Sequence, residues 1–125
     1  MKNFICVLLL TLLLTGCATN YSKRSFEGGY SEIKIQEHLF KVTFVGNIYT
    51  SSQRTENLGL LRCADVTLEK GYNYFIIREQ VERGNGFTTI DFTIECFKEK
   101  PVKVLGIIYD AEQVRTNMKS QYKIK

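Results

Sequence analysis

Four cysteines and one histidine are the side chains with the widest chemical reach in this chain of 125 residues: Cys6, Cys17, Cys63, Cys96 and His38. A thiolate acts as a nucleophile, a metal ligand or half of a disulfide, according to what stands beside it. No CxxC or HExxH spacing occurs, so neither a metal nor another cofactor is expected. A Ser-His-acid or Cys-His pair would have to run through His38, which falls in a predicted hairpin turn without a recognisable partner. Asp91 and Glu95 share the wet side of a predicted strand, the ordinary place for strand charge. Arg83-Gly84-Asn85-Gly86 is followed by no Lys-Ser or Lys-Thr, so it reads as a turn and not as a phosphate loop. On these grounds no catalytic residue is named.

Two further sets of residues invite chemistry. Cys63 and Cys96 could form a disulfide closing about 34 residues, adding roughly 3.5–4 kcal/mol on the chain-entropy model. Against that, Cys63 lies some 60° (roughly, at 100° per residue) outside the apolar arc of its helix, while Cys96 points inward. Two separate small apolar side chains are the other reading. Tyr49, Arg54 and Arg62 are the candidate interaction residues, the tyrosine in a loop and the arginines on helix faces away from the apolar stripe.

The amino terminus carries the most specific pattern. Met1-Lys2-Asn3 precedes an apolar run from Phe4 to Leu14 with Thr11 as its only polar member. Such a run rises roughly 16 Å as a helix, about half the ~30 Å hydrocarbon core, which suits a signal peptide better than a membrane span. Leu14-Thr15-Gly16-Cys17 follows. It resembles the lipobox, the processing motif of bacterial lipoproteins. The resemblance implies diacylglycerol on the sulfur of Cys17, cleavage before it, and an acyl chain on the new amino group. Two or three chains anchor a protein stably where one does not. By the same resemblance, Ala18 in place of Asp implies sorting to the outer membrane, facing the periplasm; an inner or plasma membrane anchor is the alternative.

The expected organisation is a signal peptide at 1–16, a lipidated cysteine with a flexible tether at 17–29, and a single α+β domain at 30–125. The composition, 44% hydrophobic and 24% charged with one proline, is that of a globular chain. The formal charge of +4 is spread among acids, and a periplasmic address excludes nucleic acid as a partner.

The elements follow from periodicity. Tyr30–Gln36 and Leu39–Gly46 alternate around a short polar break, the pattern of a β-hairpin. Ser51 or Ser52 can cap a helix running to about Lys70, with Leu61, Ala64 and Leu68 on one stripe and Gly71 as its exit. Tyr72–Val81 and Phe87–Phe97 read as strands, and Val102–Tyr109 as a short edge strand. Asp110 starts a last helix, with Gln113 at the capping-box position. The expected fold is an antiparallel sheet of four to five strands with two helices on one face, in the order ββαββ(β)α.

Gly46-Asn47-x-Tyr49-Thr50, Leu61-Arg62-x-Ala64 and Gly71-Tyr72, with Phe75 after them, resemble the pattern of a family of small uncharacterised bacterial lipoproteins. The resemblance implies the anchor and the fold, and no activity. The expected function is a membrane-anchored, non-catalytic module that docks an envelope protein or cell-wall component. A small periplasmic hydrolase and a lipid- or small-molecule-binding lipoprotein are the alternatives.

Overall fold

The computed structural model describes residues 18–125; the leader and Cys17 lie outside them. Five strands form one antiparallel sheet in the order β1-β2-β4-β3-β5. These are β1 (Gly29–Gln36), β2 (Leu39–Val45), β3 (Tyr74–Gly84), β4 (Thr88–Phe97) and β5 (Ile108–Asp110). Helices α1 (Ser52–Glu69) and α2 (Ala111–Tyr122) lie on one face of it. This is the α+β arrangement expected from the patterning.

Alternation decides which side chains meet. Phe40, Val42 and Phe44 of β2 stand opposite Ile94, Phe92 and Ile90 of β4, and Phe75 of β3 stands opposite Cys96. All are buried under the helices. The caps are also those the sequence announces. Ser51 accepts a hydrogen bond from the Arg54 amide, and Asp110 accepts one from the Gln113 amide. At the far end of α1, Tyr72 N–H bonds to Thr67 C=O and Gly71 N–H to Leu68 C=O, closing a Schellman motif.

Two expectations are corrected. Val102–Tyr109 is a strand only at Ile108–Asp110; the run before it is a loop carrying exposed Val102, Leu105 and Ile107. Consequently β5 pairs only with Tyr74, Phe75 and Ile76, and β3 beyond its bulge at Ile77/Glu79 borders β4 alone. In β1 it is Glu32 that pairs with Val42 on the helix side, which turns Ile33 and Ile35 to the uncovered face. The second is α1, which is buried over far more than one stripe, because the sheet lies under it and α2 beside it.

The close seat of α1 depends on Gly59. A Cβ placed there would come within 2.5 Å of Cε2 of buried Phe92 and 3.3 Å of Cβ of Phe44. Alanine at this position gains about 1 kcal/mol of helix propensity but overpacks a filled core at a cost of about 1–3 kcal/mol. Gly59→Ala is therefore expected to lower the stability by about 1 kcal/mol in urea unfolding, and Gly59→Val by more. Equal or higher stability for Gly59→Ala would show that the Phe92 ring yields freely.

Candidate functional site

The segment that follows Cys17 is seated on the domain, which corrects the reading of 18–29 as a flexible tether. Thr19 is only 2% exposed. Its amide donates to Thr50 Oγ1 at 2.7 Å, and its hydroxyl donates to the Glu27 carbonyl at 3.1 Å while accepting from the Asn47 amide at 2.7 Å. The Thr50 hydroxyl lies 2.8 Å from Asn47 Oδ1 and 2.9 Å from Thr19 Oγ1, where its single proton serves either acceptor. Arg54 closes the clasp from α1, its Nε and Nη2 reaching the Thr19 carbonyl at 3.4 and 3.3 Å. The backbone can pass here because residue 28 is glycine: its φ is +103°, and a Cβ would fall 2.3 Å from the Val45 carbonyl.

The rest of the segment runs along β1. Tyr30 N–H bonds to Ser22 C=O and Arg24 N–H to Tyr30 C=O. The rings of Tyr21 and Tyr30 meet at 5.1 Å, and the Tyr21 hydroxyl donates to Asp65 of α1. Burial, with Asp65 beside it, raises the Tyr21 phenol well above its ordinary pKa.

Arg62 holds β1 to α1. It is 6% exposed, so its position away from the apolar stripe does not place it on the surface. Nε and Nη2 grip Glu32 at 3.2 and 2.6 Å, Nη1 and Nη2 grip Glu69 at 3.1 Å each, and the guanidinium carbon stands 4.1 Å from the centre of the Tyr30 ring. Two forked carboxylates replace the water it has lost. Of the three candidate interaction residues, Arg54 and Arg62 therefore act inside the fold. Tyr49 alone is exposed, with its backbone amide held by Asn47 Oδ1.

His38 does have a partner. Its Nδ1 lies 2.7 Å from the Tyr72 hydroxyl, which donates to the Glu37 carbonyl at 3.2 Å. It borders an open groove of about 450 Å³ lined also by Arg78, Thr93 and Glu95, where Arg78 and Glu95 are ion-paired. Asp91, on the same uncovered sheet face, accepts from Thr43 Oγ1 and Arg83 Nη2, both at 2.6 Å. The described residues contain no cluster of three or more metal-ligating side chains.

Cys63 and Cys96 are both buried free thiols in the same core cluster, so the open question of a bridge resolves as two separate side chains. The second face of α1, covered by its neighbours, takes Cys63 in. Cys96 Sγ lies 3.4 Å from Thr67 Oγ1. The clasp residues Thr19, Asn47 and Thr50 were not singled out by sequence reasoning, although two of them stand in the Gly46-Asn47-x-Tyr49-Thr50 pattern; their common partner lies some thirty residues upstream.

No family model, curated protein or solved structure matches the chain.

Removing the guanidinium leaves two carboxylates facing each other and an edge strand untied. Breaking a buried ion pair costs about 3–5 kcal/mol, and Glu69, half exposed, recovers part of that by hydration. Arg62→Ala is expected to lose about 2–3 kcal/mol in urea unfolding, and Arg62→Lys to restore less than half, because lysine cannot fork to two carboxylates. A silent Arg62→Ala would remove it as the tie between β1 and α1.

Burial pushes the Cys63 thiol well up and the Cys96 thiol to about 11, from an ordinary value of 9.0. Raised thiol values favour the protonated fold, so this contribution is complete below pH 9 and is lost as the pH rises toward 11. Thermal stability is expected to fall across that window, less steeply in a Cys63→Ala/Cys96→Ala variant. Iodoacetamide should label the peptides bearing Cys63 and Cys96 only after denaturation, and rapid native labelling would contradict their burial.

Proposed function

We propose that this chain is a bacterial lipoprotein, anchored through acylated Cys17 in the outer membrane, whose domain faces the periplasm and serves as a non-catalytic module that docks an envelope protein or cell-wall component. The observation that carries the reading is the junction between leader and fold. An apolar leader ends in Leu14-Thr15-Gly16-Cys17, and two residues later Thr19 is clasped by Asn47, Thr50 and Arg54. A fold that fixes Thr19 only two residues behind a lipobox cysteine suits an anchor at that cysteine. The pattern Gly46-Asn47-x-Tyr49-Thr50 supports the same reading, since two of its members hold Thr19.

For a partner, the helix-free side of the sheet is the surface on offer. It presents Ile33, Ile35 and Val81 among Lys41, Glu79, Arg83 and Asp91, a mixture of apolar area and charge suited to a wet, reversible interface.

Intact-mass measurement of the protein purified from envelopes tests the anchor. The expected product begins at Cys17 and carries diacylglycerol with a further acyl chain; Cys17→Ser should accumulate uncut and leave the outer-membrane fraction. An unmodified Cys17 in the native product would overturn the reading. A photoreactive residue at position 33 is expected to crosslink to an envelope component in cells, and one at exposed Thr116 on α2 is not. Identical patterns from both positions would sink the assignment of the docking face.

A further inference from the structure

The end of the domain that carries Thr19 is unusually apolar for a surface. The turn Ser25–Gly28 presents Phe26, which is 98% exposed, and the loop after β2 presents Ile48 at 67% and Tyr49 at 58%. The β3–β4 turn presents Phe87 at 47%. These are not loose loops. Ser25 and Gly28 exchange backbone hydrogen bonds, Asn85 N–H bonds to Phe87 C=O, and Gly46 N–H ties the β2 end to Thr88 C=O. Phe26, Ile48 and Phe87 rim one groove of about 400 Å³, with Arg24 and Asn47 also in its wall. Exposed apolar groups gathered on rigid turns mark a contact surface.

Cations adjoin the patch: Arg24 lines the groove with Phe26, and Lys23 lies next to Arg24. Lys23 and Arg24 flank Phe26 against a single acid, Glu27, in the seated segment. Helix α2 ends here too: Arg54, which grips Thr19, stacks 5.1 Å over the Tyr122 ring, and Lys123 and Lys125 follow directly.

The length of chain decides what covers this face. A free twelve-residue tether would let the domain wander ~40 Å from its anchor. With Thr19 clasped, Cys17 is two Cα–Cα steps of about 3.8 Å away from a fixed point. An acylated cysteine sits at the interface of its leaflet, so this end of the domain is held against the same interface.

We propose that the surface formed by Phe26, Ile48, Tyr49 and Phe87, with Lys23 and Arg24 beside it, docks on the membrane that holds the anchor: the apolar side chains enter the boundary between headgroups and acyl chains, and the cations meet lipid phosphates. The proposal rests on acylation of Cys17 and adds to it a fixed orientation, with the sheet and the Val102–Ile107 loop directed away from the bilayer. Aromatic and aliphatic groups at this depth, flanked by lysine and arginine, are the chemistry by which peripheral surfaces bind lipid.

The chain has no tryptophan, so a single introduced one reports its own surroundings. Mature protein purified from membranes and carrying Phe26→Trp, Phe87→Trp or Val102→Trp is reconstituted in vesicles of phosphatidylethanolamine and phosphatidylglycerol with brominated acyl chains. Trp at 26 and 87 is expected to shift to the blue and to be quenched several-fold more than Trp at 102. Lys23→Glu combined with Arg24→Glu is expected to weaken the quenching at 87. Intact mass of the same samples reports the anchor separately. An acylated chain in which all three tryptophans quench alike would overturn the docking face while leaving the anchor standing; an unmodified Cys17 would remove both. Quenching at 87 that ignores the double charge reversal would overturn the role of the two cations.

Discussion

A guanidinium taken out of water must find its full complement of acceptors inside the protein, and much of this fold is arranged around that need. Arg62 draws Glu32 from β1 and Glu69 from its own helix, with the Tyr30 ring beneath it. To deliver Glu32, β1 must turn its charged side chain inward and its isoleucines outward, against the usual sense of an amphipathic edge strand. The same contact brings Tyr30 against Tyr21, and with it the whole segment from Ser22 to Arg24 that pairs beside β1. One buried cation thus decides the register of a strand and the path of the chain that precedes it.

That constraint also separates what could be read in the residues from what could not. The hairpin, both helix starts, the Gly71 exit and the pairing of β3 with β4 all rest on interactions within a few residues, or on a period of two, and both leave a trace in order along the chain. Arg62 leaves none, since a charge on a helix looks solvated until its acceptors, one of them thirty residues away, are known. The clasp of Thr19 is hidden for the same reason: a hydroxyl, a backbone amide and a guanidinium holding one threonine have no periodicity, and a polar, glycine-containing stretch before β1 reads as linker. Val102–Tyr109 misled in the opposite direction. It is apolar and β-branched in part, but only its last residues find an edge to pair with.

Helices cover one side of the sheet and leave the other bare, and the two ends of the sheet differ as sharply as its faces. At one end lie the seated segment, the aromatic turns, the start of α1 and the close of α2. At the other lie His38, Tyr72 and the loop after β4. A body tied down at a single end by a short leash keeps this polarity in space. Which surfaces meet lipid and which meet the periplasm would then follow from the fold itself.

The overhang of β3 has a consequence for such a body in company. Beyond Ile77 its outer backbone edge has no neighbouring strand among the described residues, and copies held in one leaflet, as proposed above, would meet in two dimensions and in similar orientation. Bare edges under those conditions invite strand-to-strand fusion into ribbons. Here the bulge at Ile77/Glu79 breaks the regular spacing of donors and acceptors, and Arg78, Glu79, Glu82 and Arg83 place a charge at nearly every step. A second copy sliding alongside would meet a kinked margin crowded with solvated charge of both signs in place of an open, regular ladder.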